Sequence, residues 1–149
     1  LFLNPSEAKQ KTDAVIIHGL LPDSDQRQYH EESEVLASFL EYLGNSVMVA
    51  HHLHFDVTMV NQSLARCGAG PLLNQGVDTA HLARRLQPSG YWSPNDVYTL
   101  DAQARRYKIP LADRHTAVGD SYITAVLFMK QIQKLEEIKN RKLILEDLL

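Results

Sequence analysis

Amphipathic helices dominate this chain, and the strands visible beside them are too few to form a sheet that could bury them all. In residues 31–43 the apolar Val35, Leu36, Phe39, Leu40 and Leu43 recur at helical spacing, with Gly44 as the terminator. A second helix is expected from about residue 55 to 67, with Met59, Val60 and Leu64 on one side and Gly68 closing it. Residues 79–86 and 100–107 also read as helical; in the latter Leu100, Ala104 and Tyr107 are in register and Thr99 is the expected N-cap. A last helix starts near Ala117 and turns Ile123, Val126 and Leu127 inward, before a charged stretch ending in LILEDLL.

Against these, one clear strand is predicted: Ser46-Val47-Met48-Val49-Ala50, apolar without alternation and bounded by Gly44-Asn45 and a histidine cluster. Residues 13–19, DAVIIHG, permit either a short strand or a buried turn ahead of Pro22. The opening Leu1-Phe2-Leu3, followed by Asn4-Pro5, reads as the tail of a strand entering a turn. The expectation is therefore a helix-rich α/β domain whose N-terminal strands lie upstream of Leu1. Residues 87–95 hold Pro88, Gly90 and Pro94 with Tyr91 and Trp92, and read as a loop.

At 149 residues, 44% hydrophobic and 22% charged, the chain has the size of one domain with one core, residues 1–149. The single cysteine, Cys67, excludes an intramolecular disulfide and a cysteine-rich zinc site. No apolar run reaches the roughly 18 residues of a membrane span, and the first residues lack the zones of a signal peptide, so no membrane partner is expected and the cytoplasm is the default location. A net charge of −3 argues against a broad basic surface that grips duplex nucleic acid. It leaves room for an enzyme that holds phosphates through bound cations, since a cation reverses the field of its carboxylates.

Three clusters carry candidate chemistry: IIHG at residues 16–19, VAHHLHFD at 49–56 and HTAVGD at 115–120. On one continuous helix His115 and Asp120, five residues apart, would not share a face. With His115 in the preceding loop and Asp120 in the first turns, the histidine can fold over the aspartate toward one cleft. Gly119 leaves space there for a substrate or a neighbouring backbone. Asp56 falls just after the strand, in the opening turn of a helix, where the dipole favours a carboxylate. Taken singly, each of these acids is an ordinary first-turn residue; the combination carries the signal. His52-x-His54-x-Asp56 superficially resembles part of a zinc-hydrolase signature of the metallo-β-lactamase type, but Val57 stands where its final histidine belongs.

VAHHLHFD followed by an apolar helix, then VDTAHLARRL, TLDAQARRYKIP and HTAVGDSYITAVLF, resemble in order and spacing the DEDD-type 3'-5' exonucleases of the histidine subclass, a family that includes the proofreading epsilon subunit of bacterial DNA polymerase III. The resemblance covers nearly the whole chain. It implies an RNase H-like fold, a mixed central sheet with its first three strands antiparallel and helices on its flanks. It also implies four acidic residues holding two divalent cations, Mg2+ or Mn2+, and a substrate presented as the 3' end of a single strand. By resemblance Asp56 and Asp120 are metal ligands from the second and third motifs, and His115 is the general base. His18, His52 and Phe55 match positions near the substrate groove. His52 stands where many members have asparagine, and Phe55 is either a core anchor or a nucleotide contact. Asp78, Asp101 and Arg84 match structural positions.

The family's first motif, an aspartate and a glutamate two residues apart, has no counterpart: Asp23 and Asp25 follow the IIHG block and read as a polar turn. The expectation is that the sequence is a fragment, binding metals poorly and nearly inactive by itself. The alternative is a non-catalytic module that binds nucleic acid or protein on a degenerate exonuclease fold. Residues 130–149 could dock a polymerase subunit or a further domain, but read more simply as a solvated helix followed by a capping segment.

Overall fold

The computed structural model describes residues 2–3, 29–87 and 94–149. Among them the elements run β1 (Phe2–Leu3), β2 (Tyr29–His30), α1 (Glu32–Leu43), β3 (Met48–Ala50), α2 (Leu53–Arg66), β4 (Gly76–Asp78), α3 (Thr79–Arg85), a 3-10 turn (Asn95–Tyr98), α4 (Leu100–Arg106), α5 (Ala117–Lys139) and a second 3-10 turn (Leu145–Asp147). The two described strand pairs are both parallel: β1 with β2, and β3 with β4 in the register Met48↔Gly76, Val49↔Val77, Ala50↔Asp78. The antiparallel part of the expected mixed sheet is not among the described residues. The segment 13–19, with His18, and most of the proline-rich loop lie outside them as well.

Contacts group the chain into two compact units. The first comprises residues 1–46 and 57–73. Its helix α1 has Glu32 and Glu34 in the first turn, where the dipole favours acids, and ends at Gly44, whose N–H donates to Leu40 O. Among the described residues Leu36 and Leu64 are its buried apolar side chains. Arg66 pairs with Glu32, and Asn61 Oδ1 accepts from the Leu72 N–H at 2.8 Å, fastening the chain that leaves α2.

The second unit, residues 47–56 and 74–149, holds two apolar clusters. Leu100 and Ala104 of α4 pack with Ile109 against Ile123 and Leu127 of α5. Val77 of β4, Leu82 and Leu86 pack with Leu135, joined by Val47, Phe128, Leu143 and Leu148. One long helix, α5, thus serves both clusters, with Leu127 facing one and Leu135 the other. Its distal half is therefore more than a solvated helix: Gln131 is fully buried and its Nε2 donates to Thr79 O at 2.9 Å. The chain beyond α5 is held by Asp147, whose carboxylate accepts from Lys139 and Arg141 and lies well below the usual carboxylate range, first because of Arg141 and then Lys139. Among the described residues no helix is long and apolar enough to cross a membrane.

The helices match the sequence expectations to within two residues at most ends, and Thr99 caps α4 by accepting from Ala102 N. Among the short elements not foreseen are β2, β4 and the first 3-10 turn. Strand β4 has a single apolar residue, Val77, in three, too short for a periodicity. The 3-10 turn follows Pro94 at once, where proline density suggested only loop. The predicted strand over 46–50 is shorter by two residues at its start, since Ser46 N–H closes a turn on Leu43 O.

Truncating Leu82, which is fully buried, to alanine should cost about 2–5 kcal/mol in urea unfolding. Leu73→Ala, at a side chain 90% exposed, should change stability by less than ~0.5 kcal/mol.

Candidate active site

Because β3 and β4 are parallel, their carboxyl ends, Ala50 and Asp78, lie at the same edge. That is where ligands bind in open α/β sheets. The chain leaves β3 through His51 and His52, and His52 takes a left-handed conformation, φ 63°. A non-glycine residue there is disfavoured by roughly 1 kcal/mol or more. Asp78 offsets this: its Oδ1 accepts the His52 N–H at 3.0 Å and the Ala80 N–H at 2.8 Å, so one oxygen pins the β3–α2 turn and caps α3. Helix α2 then starts at once, Phe55 N–H donating to His52 O, and Asp56 falls in its first turn. Gly76 makes the packing possible, since a Cβ there would lie 2.3 Å from Leu53 Cδ2.

His51 is held on both ring nitrogens, with Thr79 Oγ1 2.8 Å from Nδ1 and Tyr98 O 2.8 Å from Nε2. The carbonyl can only accept, so Nε2 carries a proton, while the Thr79 hydroxyl lies between Nδ1 and Ala50 O, the latter 3.3 Å away. The ring joins the end of β3 to the start of α3 and the first 3-10 turn. Desolvation, then the neighbouring His52, holds its pKa below 6.5. Arg84 of α3 lies over the Tyr98 ring, 4.9 Å from its centroid.

The second wall comes from α5. Thr116 caps the helix, its Oγ1 accepting from Gly119 N at 3.0 Å and donating to Asp113 O at 2.7 Å. Gly119 is pressed onto that turn: a Cβ there would stand 2.1 Å from Asp113 O. The space at Gly119 is thus taken by a neighbouring backbone, one of the two uses foreseen. His115 lies before the helix at φ 69°, and its main-chain N–H donates to Asp120 Oδ1 at 3.1 Å. Between them Arg114 reaches two carboxylates. Its Nη1 donates to both oxygens of Asp120 at 2.6 Å, and its Nε and Nη2 donate to the two oxygens of Asp101 at 3.0 Å each. The Arg114 hydrogen bonds hold Asp101 below the usual carboxylate range.

These walls enclose an open cleft of about 770 Å³, lined among others by His52, Asp56, Asp101, Arg114 and Asp120. Asp56 keeps access to solvent, yet partial desolvation, reinforced by Asp78, holds its carboxyl above the ordinary range. Asp56, Asp120 and His52 are thus brought to one cleft from distant parts of the sequence. His115 touches Asp120 through its backbone, while its side chain is exposed and does not line the cleft. Phe55 is 67% exposed and also outside the lining, so it is not a core anchor. His18 lies outside the described residues. Sequence reading passed over His51 and Arg114. His51 stood inside a histidine cluster that was already singled out, but nothing in the local pattern pairs Arg114 with Asp101.

Carboxylate oxygens are the donors Mg2+ and Mn2+ take, and Mg2+ is commonly held by one or two carboxylates with substrate phosphate completing the set. Asp56 and Asp120 fit that demand in donor type. Among the described residues no group of three or more histidine, cysteine, aspartate or glutamate side chains gathers to hold a metal ion.

Two measurements probe this scaffold. The depressed pKa of His51 means the folded state favours the neutral ring, so the unfolded chain binds more protons as pH falls. The stability contributed by His51 is present above 6.5 and lost as pH falls through that value toward the lower folded pKa. The difference in urea midpoint between the wild type and His51→Gln should therefore shrink between about pH 8 and about pH 5. Gly119→Ala should lower stability by about 1–3 kcal/mol in thermal melts, because Asp113 O belongs to the capping turn and cannot retreat freely.

Residues 2–128 match the family described as Exonuclease. The chain is 30% identical, over 98% of its length, to DNA polymerase III PolC-type from Staphylococcus epidermidis and from Staphylococcus aureus. It spans about a tenth of the length of these relatives, 10% in each case. With its motif blocks in family order on an α/β framework, the chain belongs to the exonuclease family, as a DEDD-type member with an RNase H-like fold.

Proposed function

We propose that this chain is the exonuclease portion of a replicative polymerase system, removing nucleotides from the 3' end of single-stranded DNA by metal-dependent phosphodiester hydrolysis. The observation that carries the reading is the convergence of Asp56 and Asp120 on one cleft at the carboxyl ends of parallel strands. The relatives named DNA polymerase III PolC-type support the polymerase context and a DNA substrate.

In this reading Asp56 and Asp120 would contribute two of the four carboxylates that hold two divalent cations, Mg2+ or Mn2+. When bound, such ions supply Lewis acidity that activates water and offsets charge on the phosphate. His115, on the loop beside Asp120, accepts the proton from the attacking water at its imidazole. Its exposed side chain must turn toward the cleft when substrate arrives, and a loop position outside the helix leaves it that freedom. Asp101 and Asp78 serve the scaffold. His52 and Phe55 flank the Asp56 turn from the side where a nucleotide enters, with the exposed Phe55 ring offering a stacking face.

The test is a 5'-labelled single-stranded oligonucleotide incubated with Mn2+ and the chain, both alone and within its longer parent protein, with products resolved by length. Stepwise shortening from the 3' end is expected in the parent. Asp120→Asn should lower the rate by at least about a hundredfold, and His115→Ala by about 10²–10⁴-fold. Intact substrate in every lane would instead favour a binding module.

A further inference from the structure

Arg114 is tied to the cleft more firmly than a surface cation needs. Its side chain is 18% exposed, and its guanidinium uses both ends: one fork closes on the two oxygens of Asp101, while Nη1 spans the two oxygens of Asp120. Asp120 Oδ1 accepts the His115 N–H as well. Asp120 therefore presents its negative charge to a fixed cation of the protein, and its oxygens are already engaged. The residues on either side of Arg114 both take left-handed conformations, Asp113 at φ 54° and His115 at φ 69°. Two non-glycine residues in that region are unfavourable locally and persist only where surrounding contacts impose them. Here the contacts are the Arg114 ion pairs and the Thr116 cap, which draw the turn down over the start of α5.

Resting on the exonuclease reading, we propose that Arg114 is a built-in counter-cation that competes with divalent metal for Asp120. The guanidinium gives the carboxylate a partner when the cleft holds no metal, sparing a partly desolvated anion from standing alone. Metal entry at Asp120 requires the Nη1 contacts to break, and the fork on Asp101 gives Arg114 a second carboxylate to remain on when they do. The arrangement lowers metal affinity and makes loading depend on whatever else can offset the guanidinium charge, such as the phosphates of an incoming strand.

The competition can be read without activity. Mn2+ is titrated into the 149-residue chain and free Mn2+ is followed by its electron paramagnetic resonance signal, for the wild type, Arg114→Gln, Asp120→Asn and the double variant, each checked for folding by circular dichroism. Arg114→Gln should bind Mn2+ about tenfold tighter than the wild type, because a positive charge beside the site is removed, and the double variant should lose that gain. Equal or weaker binding by Arg114→Gln overturns the competition. If Asp120→Asn still abolishes Mn2+ binding in that case, the exonuclease reading of Asp120 survives alone; binding indifferent to Asp120 in every variant overturns both. Should Arg114→Gln fail to fold, Arg114→Lys keeps the charge but not the fork on Asp101; it should bind Mn2+ about two- to fivefold tighter than the wild type, and no gain overturns the proposal.

Discussion

One carboxylate oxygen, Asp78 Oδ1, holds the cleft together. It accepts the Ala80 N–H in the first turn of α3 and the N–H of His52 in the turn that leaves the neighbouring strand. Parallel strands bring their carboxyl ends to one edge but do not by themselves fix how the chain departs from that edge. A left-handed residue at the strand exit is locally unfavourable, and a polar clamp at that point decides the direction in which α2 starts, hence where Asp56 stands. Asp78 meets both demands with an ordinary N-cap geometry, which is why a residue outside the cleft lining can still govern the cleft.

Each of the three acids that line the cleft occupies the first turn of a helix: Asp56 on α2, Asp101 on α4, Asp120 on α5. The exposed N–H groups there favour anions, so local energetics alone put negative charge at helix starts. What makes a cleft of them is the packing of Leu100 and Ala104 against Ile123 and Leu127, which fixes α4 beside α5 and leaves Asp101 and Asp120 within reach of one guanidinium. The apolar core and the charged site are thus two consequences of one helix pairing.

The legible part of the fold was the part written in short-range patterns. Helix α1 was visible in Val35, Leu36, Phe39, Leu40 and Leu43; the cap of α4 was visible in Thr99, and the start of α5 in the placement of His115 ahead of the helix and Asp120 within it. Strand β4 escaped because three residues with one apolar member carry no period, and the turn at 95–98 escaped because proline marks both loops and 3-10 starts. The distal part of α5 looked solvated because Gln131 reads as polar; in the fold it is buried, with its Nε2 donating to a carbonyl from α3.

The sequence by itself determined which segments are helical, where the helices begin, and that four motif blocks stand in exonuclease order. These follow from periodicity, capping and spacing, all of which act over a few residues. Only the tertiary structure decided that His51 bridges Thr79 and Tyr98, that Asp78 restrains His52, and that Arg114 spans Asp101 and Asp120. Those contacts join segments whose separation along the chain carries no periodic signal, and their geometry exists only after the apolar clusters have fixed the helices against one another.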